Sequence, residues 1–198
     1  VITIYNTKPE MGQGTYQSVP ALIAEELEVS LDAIKIVQTS GEKRFGPGQA
    51  AGGSSSIRGN YDAYRKIGAA AKEMLIKAAS IKWGIGVESC YAENGSVHSK
   101  LSDKHLSYGE LIEEASKLEL PKEPKLKNKS DFKIIGKSIQ RPDIPLKISG
   151  KAVFGIDIEV PNMAYATVLR SPVIGGSLKS FDAKDALKVP GVIKVVEA

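Results

Sequence analysis

The chain has 198 residues, of which 42% are hydrophobic, 25% charged and 6% aromatic, the balance of a globular protein with a packed core rather than a disordered or fibrous one. A single cysteine, Cys90, excludes an intrachain disulfide, a cysteine zinc site and an iron–sulfur cluster held by this chain alone. The net charge is only +4, and no apolar run approaches the ~18 residues of a membrane span.

Val1 to Tyr5 alternates apolar and polar residues as a half-buried strand does. No methionine precedes it, so the expectation is a sequence that begins inside a longer polypeptide. Asn6 to Gly14 then supplies proline and glycine punctuation. Val19, Ile23, Ala24 and Leu27 recur at helical spacing, and Pro20 places the regular start of that helix near Ser18, because proline fits a first turn and breaks an interior. Glu25 and Glu26 are read as its solvated face. Ile34 to Gln38 is a short strand, Thr39 to Gly53 a glycine-rich loop, and Arg58 to Lys82 a second helix with Tyr64, Ile67, Ala71, Leu75 and Ala78 on one face. Its run Gly68-Ala69-Ala70-Ala71 predicts close packing against another element.

Two strands, Val87 to Ala92 and Ser96 to Lys100, flank Asn94-Gly95, a pair suited to a tight hairpin. Ser107 and Glu110 have the spacing of a capping box, which opens a short helix through Leu118. From Lys117 to Lys151 the chain carries ten Lys or Arg against four Asp or Glu. With one aromatic, Phe132, and several prolines, this stretch reads as a solvated connector rather than a nucleic-acid surface. Beyond it Phe154, Ile156, Ile158 and Val160 alternate with polar residues. Ala164 to Leu169 and Ile193 to Val196 also read as strands, with a short helix near Ala183 to Lys188. His98 and His105, seven apart with no metal-ligand spacing, read as surface residues, and no metal ligand is assigned.

The chemistry concentrates in two glycine loops. Gly12-Gln13-Gly14 lies between a strand and a helix, where backbone N–H groups and the helix dipole favour an anion. Gln17 stands where a dinucleotide fingerprint needs its third glycine, so the loop is either a ligand site of another kind or a plain turn. Gly48-Gln49-Ala50-Ala51-Gly52-Gly53-Ser54-Ser55 has the glycine spacing of a P-loop, but Ser54 stands where the lysine belongs, which excludes that NTPase site. The hydroxyls of Ser54, Ser55 and Ser56 before a helix suit phosphate; a flexible serine-glycine loop is the alternative.

Taken together, Glu10-Met11-Gly12-Gln13-Gly14, Ala24-Glu25-Glu26-Leu27 and Gly52-Gly53-Ser54-Ser55-Ser56 resemble the molybdopterin-binding subunit of the xanthine dehydrogenase/aldehyde oxidase family. Tyr108-Gly109-Glu110-Leu111, Ile135-Gly136-Lys137, Arg141-Pro142-Asp143-Ile144-Pro145, Gly150 to Asp157 and Val189-Pro190-Gly191-Val192 are similar to its isoquinoline oxidoreductase β-subunit branch. Asn162 and Ala51 depart from the common pattern. The resemblance implies an α+β protein: part of a molybdopterin-binding domain over residues 1–120, the basic connector over 121–140, and a small α/β hammerhead domain over 141–198. It implies a molybdenum hydroxylase that adds water-derived oxygen to an aromatic N-heterocycle or an aldehyde. By motif, Gly12, Gln13 and Gly14 face the molybdenum cofactor, expected as molybdopterin cytosine dinucleotide, and Gly53, Ser54, Ser55 and Ser56 meet its phosphate portion. No catalytic residue is assigned, because the family's base lies beyond the hammerhead, so the chain alone is expected to be inactive. The resemblance further implies a [2Fe–2S] small subunit and a cytochrome or other electron acceptor; the aromatic-poor basic stretch argues against a nucleic-acid partner, and the sequence does not decide between periplasm and cytoplasm. A non-catalytic anion-binding module and an aldehyde dehydrogenase of the same branch remain as alternatives.

Overall fold

The computed structural model describes residues 1–197 and divides into two units, Val1–Ala152 and the chain from Val153 onward. The first unit is α+β. Strand β1 (Ile2–Asn6), helix α1 (Thr15–Leu27) and strand β2 (Ile34–Gln38) form a strand–helix–strand unit in which β1 and β2 pair in parallel, Ile2 opposite Ile34 and Asn6 opposite Gln38. The ends are locked: the Asn6 amide donates to Gln38 Oε1 (2.8 Å) and the Gln38 amide returns a bond to the Asn6 carbonyl (3.0 Å).

Helix α1 starts three residues earlier than Pro20 suggested. Gly14, at φ 92°, is its N-cap, and its carbonyl accepts from the N–H of Gln17 and Ser18. A left-handed cap residue is cheap for glycine, so the first turn forms upstream of Pro20, which then lies inside the helix.

Helix α2 (Tyr61–Trp83) crosses α1 at Gly68. A Cβ there would lie 2.3 Å from the Ile23 carbonyl oxygen and 3.0 Å from Glu26 Cβ, so only glycine allows the two backbones to meet. The core between them contains Val19, Leu22, Ile23, Leu27, Leu75, Ala78 and Ala79. Strands β3 (Cys90–Glu93), β4 (Ser96–Ser99) and β5 (His105–Ser107) make a second, antiparallel sheet whose Val97 is fully buried. Asn94 and Gly95 both have positive φ, as a tight hairpin turn between right-twisted strands requires. On the opposite face the hairpin register stacks Tyr91 on His98 and His98 on His105, a ladder that spacing along the chain did not reveal. Helix α3 (Tyr108–Ala115) begins at the expected cap, where the Glu110 carboxylate accepts from the Ser107 N–H (2.9 Å) and hydroxyl (2.6 Å).

Glu25 and Glu26 are not a solvated face; they are 1% and 0% exposed. Glu26 accepts from Arg65, 2.6 Å from its nearer guanidinium nitrogen, and from the Lys127 N–H. Glu25 accepts from the Lys127 ammonium and from the N–H groups of Lys133, Ile134 and Ile135. The basic connector is thus clamped onto α1 by two carboxylates that meet their cations in the fold. Burial pushes the Glu25 carboxyl up, but Lys127 and the three N–H groups outweigh it and hold it below the ordinary glutamate range. A depressed carboxyl stabilises the fold above its unfolded pKa and loses that contribution as pH falls through the folded value. Glu25→Gln therefore has a flatter stability profile than the parent chain from about pH 4.5 downward, measured by urea titration at each pH.

The second unit differs from the expected hammerhead sheet. Between Val153 and Glu197 the described residues form no strand; they hold a short α-helix, Lys184–Leu187, near the expected position and a 3-10 turn, Gly155–Asp157, inside the first expected strand. Ile156 and Leu169 are 94% and 100% exposed. Alternation of apolar residues specifies a face, but a strand also needs a neighbour to take its N–H and C=O groups. Phe154–Val160, Ala164–Leu169 and Ile193–Val196 do not pair with one another here.

Candidate functional site

Parallel pairing makes the chain leave β1 and β2 at the same sheet edge, so the loop over residues 7–14 and the loop over residues 39–60 spring from one side. Direct bonds tie their roots. Thr7 Oγ1 lies 3.0 Å from the Tyr64 hydroxyl, the Thr39 N–H donates to the Asn6 carbonyl (3.0 Å), and the Lys8 ammonium donates to the Gly48 carbonyl (2.6 Å). No hydrogen bond among the described residues joins residues 12–14 directly to residues 53–56.

Gly12, Gln13 and Gly14 sit where expected, before α1, but the N–H groups of both glycines are in use. The Glu10 carboxylate accepts from the N–H of Gly12 (2.7 Å), Gly14 (3.1 Å) and Tyr16 (2.8 Å) and from the Thr15 hydroxyl (3.2 Å). The chain's own carboxylate thus takes the anion position at the start of the helix. Burial pushes Glu10 up, yet these donors together hold it below the ordinary range. The Gln13 side chain folds back on the turn, accepting from the Met11 N–H and donating to the Pro9 carbonyl, both at 2.7 Å. Arg141 latches the turn from outside by donating to the Gly12 carbonyl (3.0 Å) and to Glu10 (3.3 Å) while paired with Asp143 (2.7 Å). Replacing Arg141 with alanine frees this turn, and the amides of Gly12, Gly14 and Tyr16 exchange with solvent faster, as read by hydrogen exchange.

The second loop is more open. Ser55 braces its own turn by donating to the Gly52 carbonyl (2.8 Å), and Asn60 caps the Ser55 and Ser56 carbonyls. Gly53 and Ser54 both have positive φ. Among the described residues, the Ser54 and Ser56 hydroxyls and the N–H groups of Gly53 and Ser54 have no protein partner, a neutral donor set of the kind that binds phosphate. Upstream lies an open depression of about 430 Å³ lined by Gly41, Lys43, Gly46, Pro47 and Gln49. The Gln49 amide nitrogen donates to the carbonyls of Glu42 and Gly46, both at 2.9 Å, which leaves its buried Oε1 without a donor. Sequence reasoning missed both Gln49 and Lys8; the glycine spacing drew attention to the loop, but neither side chain belongs to a motif. Among the described residues there is no cluster of three or more His, Cys, Asp or Glu able to hold a metal and no helix long and apolar enough to cross a membrane.

The parallel strand pair thus opens into two glycine loops, the first with the Gly12 and Gly14 N–H groups taken by Glu10 and the second with hydroxyl and N–H donors that have no protein partner among the described residues. Residues 1–160 match the molybdopterin cofactor-binding domain family, and the chain belongs to that family. It is similar to the beta subunit of isoquinoline 1-oxidoreductase from Brevundimonas diminuta, at 27% identity over 99% of this chain and 30% of that protein. It is also similar to a subunit of nicotinate dehydrogenase from Pseudomonas putida, at 28% identity over 99% of this chain and 17% of that protein. A third relative is a membrane-bound aldehyde dehydrogenase, named for pyrroloquinoline-quinone, of Gluconacetobacter polyoxogenes, at 27% identity over 98% and 26%. The chain spans less than a third of the length of these curated relatives.

Proposed function

We propose that this chain supplies part of the cofactor cradle of a molybdenum hydroxylase large subunit acting on an aromatic N-heterocycle or an aldehyde. One observation carries the reading: both glycine loops leave the same edge of the β1–β2 pair, and one of them offers hydroxyl and N–H donors that the protein leaves unpaired. The orphaned Gln49 Oε1 beside that loop supports a ligand with donors of its own. The cofactor, when bound, supplies the redox centre and water-derived oxygen transfer. This chain's residues bind and orient it. Ser54 and Ser56 donate to its phosphate portion, Ser55 and Gly53 keep that turn in shape, and Gly12, Gln13 and Gly14 form the facing turn under the Glu10–Arg141 latch.

The Gln13 amide nitrogen spends one of its two N–H donors on Pro9 and keeps the other for a ligand. Glu10 is committed to five donors, Arg141 among them, and its carboxyl is held below the ordinary range, so it positions the turn and does not act as the base; the chain alone is expected to turn over no substrate. The cytosine dinucleotide form of the cofactor, a [2Fe–2S] partner subunit and a cytochrome or other acceptor belong to this proposal. So does the division into a cofactor-binding part over 1–120, a connector over 121–140 and a hammerhead over 141–198, whose strands would need pairing partners outside the second unit.

The test is the molybdenum and pterin content of the whole protein carrying Ser54→Ala and Ser56→Ala. Losing two phosphate hydrogen bonds of about 1.5–3 kcal/mol each weakens cofactor binding about a hundredfold or more and lowers retention accordingly. Unchanged content would leave Ser54 and Ser56 without the proposed role, whereas a parent protein with neither molybdenum nor pterin would favour a non-catalytic anion-binding module.

A further inference from the structure

Lys8 is 8% exposed and pairs with no carboxylate among the described residues. The other deeply buried cations behave differently: Arg65 faces Glu26, and Lys127 faces Glu25 and Glu28. The Lys8 ammonium has a single protein partner, the Gly48 carbonyl at 2.6 Å, although it carries three N–H donors. Its backbone is fixed on both sides, with the N–H donating to Asn6 Oδ1 (3.2 Å) and the carbonyl accepting from the Asn6 amide (2.8 Å), and the side chain starts from that fixed point. A buried, positioned ammonium without a counter-charge costs stability. Its place makes that cost intelligible, because it links the root of one glycine loop to the backbone of the other.

We propose that Lys8 is the cation of an anion site between the two loop roots and that its ligand is a phosphate or diphosphate group. The P-loop spacing around Gly48 lacks its lysine in sequence, and the fold delivers one from 40 residues upstream. Lys8 contributes charge through its contact with the Gly48 backbone, and the second loop contributes neutral donors from Gly53, Ser54 and Ser56. This rests on the cofactor reading above but reaches further, assigning the charge partner that neither loop motif contains.

The experiment titrates inorganic pyrophosphate into the chain as it stands, followed by amide chemical shifts and by calorimetry, for the parent, Lys8→Met and Lys8→Arg. In the parent, the Lys8, Gly48 and Ser54 amides shift together. Lys8→Met weakens binding about tenfold or more, the effect of one charge-assisted hydrogen bond, and Lys8→Arg restores part of it. The thermal midpoint of ligand-free Lys8→Met equals or exceeds that of the parent, since an uncompensated buried charge has been removed. Absence of amide shifts at Lys8 and Gly48 in the parent overturns the site, as does unaltered binding by Lys8→Met. A large fall in the ligand-free midpoint also overturns it, because Lys8 would then be a structural clamp. Molybdenum content of the whole Lys8→Met protein separates the two readings: pyrophosphate binding lost with cofactor content unchanged keeps the anion site and removes the cofactor from it.

Discussion

Glu26→Ala loses about 3–5 kcal/mol of stability, the usual cost of leaving one half of a buried ion pair without its partner. The carboxylate is wholly buried, and Arg65, 6% exposed, keeps only the Lys127 carbonyl as a hydrogen-bond acceptor once Glu26 is gone. The loss extends to the connector, because the same carboxylate holds the Lys127 N–H and lies 4.0 Å from the Lys72 ammonium. Urea unfolding measures the first effect, and faster proteolysis between residues 121 and 136 reads the second. The paired change Glu26→Leu with Arg65→Met recovers much of the loss, since replacing both partners removes the stranded charge.

Gly68→Ala has the next largest effect. A methyl group placed 2.3 Å from the Ile23 carbonyl cannot be accommodated by side-chain movement, because the obstacle is backbone. The helices must part where α1 and α2 bury Ile23, Leu27 and Leu75. A loss of about 3 kcal/mol, at the upper end for overpacking, is expected in denaturant unfolding even though alanine is the better helix former. A smaller residue against it, Ile23→Ala, does not rescue the variant, since the carbonyl remains.

Both effects show where sequence is informative and where it stops. The strand at Ile34 to Gln38, the hairpin at Asn94-Gly95 and the cap at Ser107 were legible because each is decided by neighbours within a few residues. The close helix crossing at Gly68 was legible as a run of small residues. Glu25 and Glu26 were misread because the groups that justify their burial, Lys127 and the N–H groups of residues 133–135, lie about a hundred residues downstream. The site shows the same division. The two glycine loops stood out by spacing, but Glu10 filling the first loop's donors depends on how the turn curls, and Lys8 meeting Gly48 depends on parallel pairing of β1 and β2. Strand alternation after Val153 was legible as a pattern, but no pattern names the strand that would lie beside it.

The most direct test compares backbone amide exchange in the whole protein with and without its molybdenum cofactor. If one phosphorylated pterin is held between the loops, amides in residues 10–16 and in residues 52–57 gain protection together when the cofactor is present, and Ser54→Ala weakens the gain in both. Protection confined to one loop, or to neither, would contradict a shared cradle at the edge of the parallel pair.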